Sequence, residues 1–321
     1  VANHTGWDHV WIKEHPEFYT KNEAGEIIDP INPETGESWG WTDVADLNYD
    51  NKALWTEMRK DMRYWVEEQN IDGFRCDVAG EVPTEFWESA VEEIKQVKPI
   101  FMLAESEDKD LFEAAFDMGY NWEGHHIINA IAQGKQNAKD LSDYIKKIDT
   151  TYQQDDYLMN FVTNHDENSW SGSVNERMGD AAEVMTALTF TLPGMPLIYS
   201  GQEYDMQKRL RFFEKDTIPH QQNKFWPILS KLGTLKNESP ALDGSKTPAE
   251  FIEIQNSDEH SIFSFVRKKG EDQIIFIGNL TNIVKSFSIP IDGQFIDYMN
   301  NEKVFEIKKN QQFKFSPWEY K

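Results

Sequence analysis

A chain of 321 residues with 32 basic and 56 acidic side chains has a net charge of −24, which disfavours nucleic acid and anionic membranes as partners. A charge of this size is also what a soluble, salt-tolerant surface carries. The single cysteine, Cys76, excludes an internal disulfide and reads as a small buried residue in a strand, while no run approaches the roughly 18 apolar residues of a membrane-spanning helix.

In chain order, Val1-Ala2-Asn3-His4, followed by Thr-Gly, reads as the end of a strand. Residues 5 to about 45 are rich in Trp, Pro, Gly and acids with weak periodicity, and an irregular stretch of that length implies a function. Residues 53–69 are amphipathic, with Leu54, Met58, Met62, Trp65 and Val66 on one face. They lead into the strand Asn70-Ile71-Asp72-Gly73-Phe74-Arg75-Cys76-Asp77-Val78-Ala79. Arg75 and Asp77, two apart on a strand, share a face, so the cation keeps the carboxylate ionised. Taken alone, these two residues are more simply an ordinary buried ion pair.

Thr84 reads as the N-cap of a helix through Lys98, with Phe86, Trp87, Val91 and Ile94 inward. The run Pro99-Ile100-Phe101-Met102-Leu103-Ala104-Glu105 fits a strand buried on both faces that ends in an acid. A carboxyl where an apolar strand opens into a cleft tends to a raised pKa and can donate a proton. By itself Glu105 fits a solvated loop or a helix cap equally well. A strand is expected near residues 114–118 and helices near 140–148 and 180–192. The adjacent His125 and His126 point in different directions and have no third ligand at metal spacing, so they read as loop or rim residues rather than a zinc site.

In Tyr157-Leu158-Met159-Asn160-Phe161-Val162-Thr163-Asn164-His165-Asp166-Glu167-Asn168 an apolar strand again ends in a polar cluster, although an isolated Asn-His-Asp triplet equally fits a turn. A further strand is expected at residues 195–199. Strands alternating with helices indicate an α/β fold with a parallel sheet covered by helices. From about Pro248 the pattern changes to short β-rich runs at 261–267, 273–279 and 286–289, separated by Gly, Asn, Asp and Pro turns, which is the signature of an all-β domain.

These motifs, in this order, resemble the conserved regions of the α-amylase family of glycoside hydrolases (family 13). Trp41-Thr42-Asp43-Val44-Ala45-Asp46-Leu47-Asn48 and Leu192-Pro193-Gly194-Met195-Pro196-Leu197-Ile198-Tyr199-Ser200-Gly201-Gln202-Glu203 are similar to family segments too, so the likeness spans nearly the whole chain. The resemblance implies that Asp77 is the catalytic nucleophile, Glu105 the general acid/base and Asp166 the third carboxylate. It implies that Arg75 orients the nucleophile, that His4 and His165 hydrogen-bond the sugar, and that Asn3 and Asp46 are side-chain ligands of a structural calcium. With catalytic residues at several strand ends, residues 1–247 are then expected to form a partial TIM (β/α)8-type catalytic barrel with an inserted irregular domain B at about 5–45, and residues 248–321 a C-terminal antiparallel β-sandwich.

The implied activity is retaining hydrolysis of α-1,4-glucosidic bonds in starch-like glucans or maltooligosaccharides. An α-glucosidase, an α-1,6-acting or transglycosylating member, and a non-catalytic glucan-binding or assembly protein of the same fold stay open. The physical reading agrees: Asp77 beside Arg75 suits the ionised carboxylate, and Glu105, with no cation near it in sequence, suits the protonated one. Among the aromatics, Trp7, Trp11, Trp39, Trp41, Trp122 and Trp170 fall in loops near strand ends, where rings either stack on sugar C–H faces or fill core.

The chain departs from the family pattern in beginning at the end of the third barrel strand. At roughly 30 residues per strand–helix unit, about 75 to 100 residues would precede it, so a complementary N-terminal segment or chain is expected. Any signal peptide would lie there, and the expected location is extracellular or periplasmic. Gly80 and Glu81 stand where many members have Lys and His, which bears on acceptor-side contacts and on the calcium.

Overall fold

The computed structural model describes residues 2–244, 247–300 and 303–321, so Val1 of the first motif lies outside the described residues. The chain divides into two compact units, residues 1–120 and 121–321.

In the first unit, β1 (His4–Gly6) pairs antiparallel with β2 (Val44–Asp46), His4 opposite Asp46. Between them run the short helix α1 (Trp11–Glu14) and irregular chain, as the weak periodicity implies. Helix α2 (Lys52–Glu67) starts at Asn51, whose side chain accepts from the Ala53 N–H, a cap that satisfies one of the helix's orphan donors. It buries Leu54, Met58, Met62 and Val66 but leaves Trp65 half exposed. The expected stripe was one residue too wide, because Trp65 lies at its edge beside Val66.

Next come β3 (Gly73–Cys76), α3 (Thr84–Lys95), β4 (Phe101–Ala104) and β5 (Met118–Tyr120). β3 and β4 pair in parallel from Gly73 opposite Phe101 to Cys76 opposite Ala104, and β4 pairs in parallel with β5. Glycine opens β3 because a Cβ there would sit 1.8 Å from the Phe101 carbonyl oxygen. Thr84 is the first residue of α3 and Pro83 its cap, without a side-chain cap bond; proline's fixed φ supplies the turn that the sequence reading gave to threonine. Strand β4 is buried on one face, with Phe101 44% exposed, against the expectation of burial on both. Strand β5 lies later than residues 114–118, since Ala115 and Phe116 belong to the preceding turn and the core. Cys76 is fully buried, and burial pushes its thiol up to about 12.

The second unit opens with helices α4 (Trp122–Ala132) and α5 (Ala138–Thr151). The latter carries a capping box, Asn137 with Asp140. Strand β6 (Tyr157–Asn160) pairs in parallel with β7, which is only Met195–Pro196; proline withholds a donor and shortens the expected strand. Between them lie α6 (Val174–Met178) and α7 (Ala182–Thr191), the latter buried on all sides, and α8 (Phe225–Glu238) follows. His125 and His126 sit on α4, not in a loop: His125 is buried and His126 exposed.

The β-rich runs become β8 (Glu250–Glu253), β9 (Ile262–Lys269), β10 (Asp272–Asn279), β11 (Lys285–Ser288), β12 (Gly293–Asp297), β13 (Lys303–Ile307) and β14 (Gln312–Phe315). All their pairings are antiparallel, in the orders β10-β9-β8, β11-β14 and β12-β13. Fully buried Arg267 on β9 donates to the carbonyls of Thr191, Asp243, Ala249 and Glu250. These bonds satisfy a cation that burial would otherwise penalise and fasten β9 to the end of α7.

Candidate active site

The parallel register of the first unit sets the carboxylates. A parallel bridge joins Ala2 to Asp77, and the Glu105 N–H donates to the Cys76 carbonyl at 2.9 Å. Three neighbouring chain segments therefore end side by side at Asn3-His4, Asp77 and Glu105. Arg75 lies between the carboxylates: Nη1 donates to Asp77 Oδ1, and Nη2 lies 2.7 Å from Glu105 Oε1. The second contact is a charge pairing rather than an aligned hydrogen bond. The Arg75 Nε donates to the Tyr120 hydroxyl at 3.2 Å, which holds the guanidinium plane from the third side.

The same-face expectation for Arg75 and Asp77 is met. No cation lies near Glu105 in sequence, but register brings Arg75 to it across adjacent strands. Glu105 Oε2 also accepts from the Val78 N–H at 3.0 Å. That donor points inward because Val78 adopts a left-handed backbone, φ 46° and ψ 45°. For a β-branched residue this conformation is strained by about 1–3 kcal/mol, and such strain concentrates at functional sites.

Burial pushes the Asp77 carboxyl up, but the hydrogen bond and charge of Arg75, aided by His4, more than offset it and hold it below the usual carboxylate value. His4 Nε2 lies 3.4 Å from Asp77 Oδ2 and Nδ1 lies 2.9 Å from Asn3 Oδ1. Burial, outweighing the pull of Asp77, lowers the His4 pKa and leaves it neutral at pH 7. Trp41 stands 6.1 Å from the His4 ring and stacks with Trp39 at 5.8 Å, and Trp39 Nε1 donates to Glu81 at 2.9 Å. The irregular segment thus sets two tryptophans beside His4 and Glu81.

Asn3 and Asp46 offer hard oxygens of the kind calcium takes. Burial, with Asp29 nearby, raises the Asp46 pKa, and Glu81 is likewise raised by burial and by Asp46. A partly buried group of acids is an electrostatic condition that a cation relieves. Among the described residues, no group of three or more His, Cys, Asp or Glu is arranged to hold a metal, so further ligands would be backbone carbonyls and water.

In the second unit, His165 and Asp166 follow β6, with His165 Nε2 3.3 Å from Asp166 Oδ2. Asp166 opens a turn of π-helix, Glu167–Ser171, closed by the Gly172 N–H donating to the Glu167 carbonyl at 2.9 Å. Such turns recur at functional sites. Tyr199 is pushed up by burial and by the charge of Asp166. Beside His165 lies a cluster of exposed rings: Phe212 is 6.3 Å from the His165 ring and 5.1 Å from Trp170, and Phe213 is 5.0 Å from Phe212. Trp170 is 59% and Phe213 66% exposed, so this is not core.

The family description "Alpha amylase, catalytic domain" matches residues 1–273. The chain belongs to the alpha-amylase family. It is similar to alpha-amylase MalA of Haloarcula japonica, with 23% identity over 309 residues, 94% of this chain and 45% of that protein. A 4-alpha-glucanotransferase of Thermotoga neapolitana is 34% identical over 172 residues, 50% of this chain and 37% of that protein. The chain thus spans about half the length, or less, of these curated relatives. The crystal structure of a maltogenic alpha-amylase, AmyB, from T. neapolitana superposes with a TM-score of 0.85 at 27% identity, over 98% of this chain and 73% of that one. An alpha-amylase from Lactobacillus plantarum has the same fold, with a TM-score of 0.81 at 24% identity over 99% and 75% of the two chains.

Sequence reasoning missed Tyr120, the Val78 backbone and the Phe212–Phe213 pair. Tyr120 ends β5, and its position after an apolar strand is a signal of the kind that pointed to Glu105. Nothing in the sequence announces the left-handed conformation of a valine.

Proposed function

We propose that this chain carries out retaining cleavage of α-1,4-glucosidic bonds in starch-like glucans or maltooligosaccharides through a covalent glycosyl-enzyme. The observation that carries the reading is the sharing of one guanidinium by two strand-end carboxylates, Asp77 and Glu105. A shared guanidinium favours the short carboxyl separation of retaining enzymes, about 5–5.5 Å, over the about 6.5–9.5 Å of inverting ones. In this reading the parallel strands belong to a (β/α)8 barrel over residues 1–247. Residues 5 to about 45 form a domain B that walls the cleft, and residues 248–321 are a C-terminal β-sandwich.

In the first step Asp77 Oδ attacks the anomeric carbon, the glycosidic C–O bond breaks, and the Glu105 proton passes to the leaving oxygen. In the second, Glu105 takes a proton from water, the water oxygen bonds to the anomeric carbon, and the ester bond to Asp77 breaks. The pair carries one negative charge throughout: on Asp77 before attack, on Glu105 in the ester. Arg75, touching both, faces that charge in either state, so its nearness to Glu105 is compatible with an acid that must become a base. Asp166 supplies the third carboxylate, stabilising positive charge on the sugar ring, and His4 and His165 bind its hydroxyls.

The test is reducing-sugar release from soluble starch and maltoheptaose, with Asp77→Asn as control. Release by the wild type alone supports the reading; release by neither protein removes it in favour of a glucan-binding role. A second reading, glucan transfer, is favoured by the 34% identity to a glucanotransferase. Products longer than the substrate, formed from maltotetraose, would select it.

The exposed rings of Trp170, Phe212 and Phe213 suit the C–H faces of glucose units bound beside Asp166. Trp170→Ala is expected to raise KM for maltoheptaose roughly three- to ten-fold, the scale of one aromatic contact, with kcat on an aryl maltoside unchanged. Equal KM values would detach the rings from substrate binding. Calcium held by Asn3 and Asp46 is proposed as a structural ion. Chelation by EDTA is expected to lower Tm and excess calcium to restore it, since a ligand bound only by the native state stabilises it; an unmoved melting curve would remove the ion.

A further inference from the structure

We propose that His125, Glu167 and Arg177 form a clamp that positions Asp166. The inference rests on the reading that Asp166 acts on the transition state. His125 is 2% exposed. Its Nδ1 lies 3.0 Å from the Phe161 carbonyl oxygen and its Nε2 lies 3.1 Å from Glu167 Oε2. The Asn129 amide nitrogen lies 3.2 Å from Nε2 and donates to the His125 carbonyl at 2.8 Å, and Arg177 Nη1 fixes its orientation by donating to Asn129 Oδ1 at 2.6 Å.

Arg177 completes the clamp. Its Nη1 is 3.8 Å from Glu167 Oε2, its Nη2 donates to the Val162 carbonyl at 2.7 Å and its Nε to the Gly172 carbonyl at 2.9 Å. Glu167 also accepts from Ser171 Oγ at 3.2 Å, and its N–H donates to Asn164 Oδ1 at 2.8 Å. Burial pushes the Glu167 carboxyl up, yet His125 first and Arg177 next more than offset this and hold it ionised. The charged and titratable groups around His125 are Glu167, Arg177 and the exposed His126, whose ring is 5.6 Å away.

Glu167 is the residue after Asp166, so a clamp that grips its carboxylate and the carbonyls of Phe161, Val162 and Gly172 brackets the Asp166 turn from both ends. An arginine and a histidine on one half-buried carboxylate are not needed to fill space; apolar residues would pack there at less electrostatic cost. What the ionic arrangement provides is direction. A misplacement of about 1 Å in a site can cost about 10²-fold in rate.

The test is kinetic. In kinetics on maltoheptaose, Glu167→Gln is expected to lower kcat about 10- to 100-fold with KM within about two-fold. In an Asp166→Asn background it should cost nothing further. An undiminished kcat, or a full additional loss on top of Asp166→Asn, overturns the positioning role. Full activity of Asp166→Asn alone sinks the reading of Asp166, and the clamp's catalytic purpose with it.

Discussion

Asp77→Asn is expected to lower kcat on maltoheptaose by on the order of 10⁵-fold, the scale of losing a covalent nucleophile, with little change in Tm. The amide oxygen can still accept from Arg75 and the neighbouring His4 is neutral, so the local fold keeps its partners. What disappears is the negative charge that Arg75 holds in place. The shorter variant, Asp77→Ala, sharpens the test by opening space for a small anion on the face the nucleophile occupied. With azide and an activated α-glucoside it should form the β-glucosyl azide, because azide then attacks in place of Asp77 and inverts the anomeric centre once. Wild-type turnover in either variant would remove Asp77 from the chemistry, and an α-azide product would assign it another role.

The carboxylates were legible because each stands where an apolar strand stops, and a two-residue alternation puts Arg75 and Asp77 on one face. Among the C-terminal runs period and length were clear, and β9 and β10 lie within two residues of their expected bounds, whereas β5 and β7 of the parallel set were placed less well. What could not be read is what register creates. Arg75 and Glu105 are thirty residues apart, and only the pairing of β3 with β4 makes them neighbours. The burial of His125 was hidden likewise: a helix carries both histidines, and its inward face was not visible from a pair of adjacent residues. Strand ends marked by proline and turns made by left-handed valine depend on tertiary context, which overrides local preference.

Glu105→Gln is the second large effect. Removing a general acid/base is expected to cost about 10²–10⁴-fold in kcat on natural glucans, because both the leaving oxygen and the attacking water lose their proton partner. The loss should depend on the leaving group. An aryl glucoside whose phenolate departs without protonation still forms the ester on Asp77, so the first step survives and the second stalls. Azide, which needs no base, then enters where water would, restores turnover and yields the α-glucosyl azide by a second inversion. Opposite anomers from the Asp77 and Glu105 variants would place the two carboxylates on opposite sides of the bond being broken, with Arg75 bridging them through both half-reactions. If azide leaves Glu105→Gln unrescued while the aryl glucoside is still consumed slowly, the acid/base is another residue. The shared guanidinium would then serve to hold β3 and β4 together rather than to follow charge between them.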